Sequence, residues 1–175
     1  METHDDEELL RAIRKGDVDY VKQLFTKSPA PTLNYTTQKG QTPLHLASDL
    51  GYSEIVDILL DKKAPLDYKD EDGRTALHLA LGSRNYEIVP TLLSAIRQRP
   101  DDEREIIDLR DNEGDTVLNL AAGQGDVDVV NILLQDGADV TLRNNAGATP
   151  ARTAADEYAR YSVGPLQLQT HILMA

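Results

Sequence analysis

Apolar and polar positions along this chain fall into a block that returns. Gly40-Gln41-Thr42-Pro43-Leu44-His45-Leu46-Ala47 is followed by Gly73-Arg74-Thr75-Ala76-Leu77-His78-Leu79-Ala80 and then by Gly114-Asp115-Thr116-Val117-Leu118-Asn119-Leu120-Ala121. A shortened copy, Gly147-Ala148-Thr149-Pro150-Ala151, comes last, and the glycine spacings are 33, 41 and 33. Behind the three full blocks lie the apolar runs Glu54–Leu60, Glu87–Leu93 and Asp128–Leu134. In the first run Ile55 and Leu59, like Val56 and Leu60, sit one helical turn apart on one face. The pattern predicts pairs of short helices joined by polar hairpins of the Asp70-Glu71-Asp72-Gly73 type. One such pair cannot bury its apolar stripe alone and needs neighbours on both sides.

The local chemistry fits this reading. Thr42 is placed to cap the first helix of its unit by accepting a backbone N–H that has no partner inside the helix. Pro43 follows at the first helical position, where its missing N–H costs little. Gly51 is the residue to end that helix in a left-handed conformation. Residues 7–36 read as an N-terminal capping repeat whose first helix is made polar by Arg11, Arg14 and Lys15. Its spacing to the next unit is two residues long, an excess assigned to the turn Ser28-Pro29-Ala30-Pro31. Full repeats follow at 37–69, 70–110 and 111–143, then a partial repeat at 144–161 and a tail at 162–175.

Three positions break the pattern. The 41-residue unit carries eight extra residues, placed around Ala95 to Glu105 and expected to form a surface loop. Pro90 falls inside the second helix of that unit and is expected to start or kink it. Arg84 stands where the other units have glycine, so the turn is expected to use Asn85, which tolerates a left-handed backbone.

Composition narrows the function. The chain has no cysteine, so disulfides, thiolate nucleophiles and sulfur-rich zinc sites are excluded. The acidic start, Met1 to Glu8, has no apolar run behind it and does not read as a signal peptide, which points to an intracellular protein in cytoplasm or nucleus. Thirty acidic against 18 basic residues give a net charge of −12, which argues against direct binding to nucleic acid or an anionic membrane. His4 lies in an acidic tail read as solvated and His171 near the other end of the chain, while His45 and His78 recur at one position of the repeat, with Asn119 as a smaller substitute. No two histidines share a local metal-ligand spacing. Asp70, Asp72 and Gly73 have a faint calcium-loop look, but Leu81 stands where the twelfth-position ligand belongs. Nothing nominates a catalytic residue, a cofactor or a metal, so the chain is not expected to be an enzyme.

A period of 33 with a Thr-Pro-Leu-His core resembles the ankyrin-repeat family over roughly residues 7 to 160. The resemblance implies an all-α solenoid of about five stacked helix-turn-helix units, including degenerate caps at both ends. It also gives the repeat histidines a structural role, with the ring bonding neighbouring backbone. A more local likeness covers Asp111 to Ala122, which is similar to one unit of the ankyrin domain in fungal G1/S transcription-factor subunits. The family implies partner contacts at hairpin tips and at the ends of each first helix. Here those positions are Gln38, Lys39, Gln41, Asp49, Leu50, Glu71, Asp72, Arg74 and Ser83, then Asn112, Glu113, Asp115 and Gln124, with Asn145 and Ala146 beyond. The expected role is a scaffold, adaptor or regulatory subunit, monomeric by itself, that binds another protein through its hairpin tips and concave face. The acidic central tips suit a basic surface or segment. The alternative is an acidic chaperone that escorts a very basic client such as a ribosomal protein.

Overall fold

The computed structural model describes residues 4–27 and 30–161. Its α-helices are α1 (His4–Lys15), α2 (Val18–Leu24), α3 (Pro43–Leu50), α4 (Ser53–Asp61), α5 (Ala76–Gly82), α6 (Val89–Arg97), α7 (Val117–Gln124), α8 (Val127–Gln135) and α9 (Pro150–Tyr161). Short 3-10 segments precede and follow α6, at Tyr86–Ile88 and Asp101–Asp108. No strand occurs among the described residues. The chain divides into two compact units at Leu92 and Leu93.

The first unit is a run of helix pairs. α1 packs against α2 and α3, α3 against α4 and α5, and α2 against α4. Leu9, Ile13, Leu24, Leu44, Ile55 and Leu59 are fully buried between them. Thr42 caps α3 from an extended backbone, Pro43 opens it, and Gly51 closes it at φ +79. In the second unit α7 lies against α8, α9 and the second 3-10 segment. Leu118, Ala121, Val130 and Leu133 fill its centre, and Asp126 caps α8.

Several expectations change. α1 begins at His4, so the acidic start is helical rather than a solvated tail. Asp5, Asp6 and Glu7 sit in its first turn, where exposed N–H groups favour negative charge. Asp6 is buried and accepts from the Thr32 amide at 2.7 Å and from its hydroxyl at 3.0 Å, which ties α1 to the chain beyond α2. The insert is not a loop throughout. Ala95, Ile96 and Arg97 complete α6, with Ile96 in the core, and a 3-10 segment follows from Asp101. Arg97 also pairs with the nearly buried Asp136 at 3.0 Å. Pro90 is the second residue of α6, close enough to the helix start that its missing N–H breaks nothing. Ser28 and Pro29 lie outside the described residues, as does everything from Ser162 on, including Gly164-Pro165 and His171.

The turn after α5 corrects a second expectation. Arg84 itself adopts φ +60, while Asn85 stays at φ −84. Asn85 instead uses its side chain, donating to the Ser48 carbonyl at 2.9 Å and the Asp49 carbonyl at 2.8 Å. Glycine fills the matching turns at Gly51 and Gly125, with φ of +79 and +75. Arg84→Gly is therefore expected to raise stability by about 1 kcal/mol through relief of left-handed strain. Thermal denaturation checks this, and a lower melting temperature contradicts it.

Candidate protein-interaction surface

Each hairpin is built by one small polar side chain at its first position. Thr37 donates its amide to the Gln41 carbonyl, and its hydroxyl accepts the amides of Lys39 and Gln41, both at 3.2 Å. Asp70 does the same in the next hairpin, with one carboxylate oxygen taking the amides of Asp72 at 3.0 Å and Arg74 at 2.9 Å. Its other oxygen receives the Arg74 guanidinium at 3.1 and 2.9 Å. The second unit repeats the device with Asp111 and Asn144. Asp70 is thus a buried turn-former and not a metal ligand. Neighbouring hairpins are joined by the Glu71 amide to the Lys39 carbonyl at 3.1 Å and the Asn145 amide to the Glu113 carbonyl at 2.9 Å.

Below the tips, each helix start is locked by a ring or amide side chain. His45 Nδ1 lies 2.8 Å from the Thr42 hydroxyl and accepts the Thr42 amide at 3.2 Å. Its Nε2–H donates to the Arg74 carbonyl at 2.9 Å, so the ring reaches from one unit's helix to the next hairpin. Burial holds the His45 pKa below the ordinary imidazole range, against the opposing pull of the Arg74 carbonyl. His78 repeats the Thr75 contacts. Asn119 copies the arrangement in amide form, its Oδ1 taking the Thr116 amide and hydroxyl and its Nδ2 reaching the Ala148 carbonyl at 3.4 Å.

The structure sorts the positions assigned to binding. In the first unit Gln38, Lys39, Glu71, Asp72 and Ser83 are exposed, and Leu50 stands out at 41% exposure. Asp49 is half-buried and accepts from the Ser83 hydroxyl. Arg74 is half-buried and held by Asp70 and Asp72. Gln41 is buried, contrary to expectation, because it closes the hairpin beneath the tip. In the second unit Asn112, Glu113, Asn145 and Ala146 are exposed and Gln124 is half-buried. Asp115 is also half-buried, receiving Asn144 Nδ2 at 2.7 Å, and burial pushes its carboxyl above the usual carboxylate range. One exposed aromatic was missed: Tyr68, at 39%, whose hydroxyl receives Asn34 Nδ2. Its only sequence signal is a lone aromatic beside a charged hairpin. No group of three or more acidic or histidine side chains among the described residues is arranged to hold a metal.

A family model for ankyrin repeats in three copies matches residues 9–104 and again residues 67–144. The chain belongs to the ankyrin-repeat family. Its ankyrin repeats make it a protein–protein interaction module, and proteins of this family are in general not enzymes. Relatives include myotrophin of Xenopus tropicalis, 37% identical over 59 residues, which cover 34% of this chain and 48% of myotrophin. Ankyrin repeat-containing protein ITN1 of Arabidopsis thaliana is 38% identical over 58 residues, covering 33% of this chain and 10% of that protein. The match thus spans less than half the length of either relative.

Proposed function

We propose that this ankyrin-repeat protein is a non-enzymatic adaptor or regulatory subunit that holds a protein partner against its hairpin tips and the adjoining ends of its first helices. One observation carries the reading. The tips are shaped by main-chain bonds and by the side chains of Thr37, Asp70, Asp111 and Asn144, while Gln38, Lys39, Glu71, Asp72 and Glu113 are exposed. A turn whose backbone is already fixed does not have to be ordered when it binds. Leu50 and Tyr68 add apolar area of the kind that anchors an interface.

Glu71, Asp72 and Glu113 favour a basic segment on the partner. The test is affinity capture from the native cell with the chain and with a variant carrying Glu71→Lys, Asp72→Lys and Glu113→Lys. Exposed charges each contribute about 0.2–1 kcal/mol, so three reversals are expected to weaken a genuine partner roughly tenfold. Equal capture by both proteins would contradict the acidic-tip assignment. Loss of the partner at moderate salt by the unaltered chain would favour the escort of a very basic client instead.

A further inference from the structure

One surface of the first unit runs against the charge of the whole chain. α1, the segment from Tyr35 to Gln41 and the start of α3 enclose an open groove of about 800 Å³. Its floor contains Leu10 and Leu46, buried to 4% and 7% exposure. Arg11 and Arg14 line it from α1, three residues apart and therefore on one helical face. Lys39 lines it from the hairpin, and Glu7 is the single carboxylate.

The three cations are exposed and have no carboxylate at ion-pair distance among the described residues. Three basic residues elsewhere in this unit are paired: Lys22 meets Glu54 at 2.7 Å, Lys27 meets Asp5 at 2.7 Å, and Arg74 meets Asp72 at 2.7 Å. In a chain with 30 acidic and 18 basic residues, a groove lined by three cations and one carboxylate, Glu7, reverses the balance of the whole. We infer that this groove binds an extended, acidic peptide segment of a partner protein, with carboxylates on Arg11, Arg14 and Lys39 and an apolar side chain over Leu10 and Leu46. The inference rests on the protein-binding reading above but not on its acidic tips.

Charge range selects a peptide over a longer polyanion. Screening limits electrostatic reach to about 8 Å at physiological salt, so a short segment responds to the groove and not to the net −12. A long phosphate chain would run on to Glu71 and Asp72, because the Glu71 amide is bonded to the Lys39 carbonyl at the groove's edge. Those carboxylates end the basic surface and would repel it.

Fluorescence anisotropy with the intact chain tests the assignment, using a labelled eight-residue peptide that alternates Glu and Leu. The peptide is expected to bind, its Gln-for-Glu counterpart to bind about tenfold more weakly, and its Lys-for-Glu counterpart more weakly still. Arg11→Glu with Arg14→Glu is expected to weaken the acidic peptide at least tenfold, and Lys39→Glu severalfold. Both arginines are exposed, so the melting temperature should hold; if it drops, Arg11→Gln with Arg14→Gln supplies the comparison. Glu71→Lys with Asp72→Lys should leave peptide affinity equal or raise it, which separates this groove from the tip surface. Unchanged affinity in the arginine variants, preference for the Lys peptide, or equally tight binding of an eight-nucleotide oligothymidylate would each overturn the inference.

Discussion

Leu44→Ala is expected to lower the unfolding free energy by about 3 kcal/mol, since large-to-small changes at fully buried leucines cost roughly 2–5 kcal/mol. Leu44 is fully buried in α3, and α3 packs on α1 to one side and α5 to the other. Removing its side chain opens a space where α1, α4 and α5 are all anchored to α3. Those helices are held by their own stacking, so local relaxation cannot close the space cheaply. Urea denaturation measures the effect, and a loss below about 1 kcal/mol would show that the helix pairs collapse inward after all. Small domains have total stabilities of only about 5–15 kcal/mol, so this one side chain accounts for a large share of the margin.

His45→Ala should be nearly as costly, for a different reason. It leaves the Thr42 amide and the Arg74 carbonyl without the ring that satisfies both. Each buried orphan costs about 1–3 kcal/mol, which puts the loss near 3 kcal/mol. His45→Asn should recover much of it, because Asn119 already performs this task in the second unit. The two replacements also differ in pH response. The folded pKa of His45 is depressed, so the folded state binds the proton less readily than the unfolded chain. Its contribution is complete above the unfolded value of about 6.5 and is lost as pH falls through the folded pKa. Stability should therefore fall as pH drops below about 6.5, and His45→Asn should flatten that slope. Chemical denaturation at several pH values decides it. An equal slope in both proteins would remove His45 from the acid response. Asp108 and Asp115, whose carboxyls burial raises, bind a proton more readily in the folded state, so acid acts on them in the opposite sense.

The repeat boundaries and the helix starts were legible because they depend on residues close together in the chain. Thr42 reaches a backbone amide three residues on, and Gly51 ends its own helix, so both roles show in a short window. The Arg84 turn was less legible. Asn85 tolerates a left-handed backbone, but its amide group is taken by carbonyls 36 and 37 residues upstream, which leaves Arg84 to bear the strain. Asp6 looked like part of a solvated acidic stretch because its partner, Thr32, is 26 residues away. The exposed tips at Glu71 and Glu113 were legible from the hairpin pattern, whereas the burial of Gln41 follows from tertiary closure beneath the turn. The basic groove was hidden for the same reason. Arg11 and Arg14 read as the polar face of a cap until folding sets Lys39 opposite them.

The single main-chain bond between neighbouring hairpins has a consequence for how such a protein changes over time. Its donor is the Glu71 amide in one unit and the Asn145 amide in the other, and any residue except proline supplies the same group. The bond itself therefore does not depend on which side chains stand at these outermost positions. The rim can accept new chemistry one letter at a time while the spine beneath keeps its register. An interaction module of this kind acquires a new partner without first passing through a weaker fold.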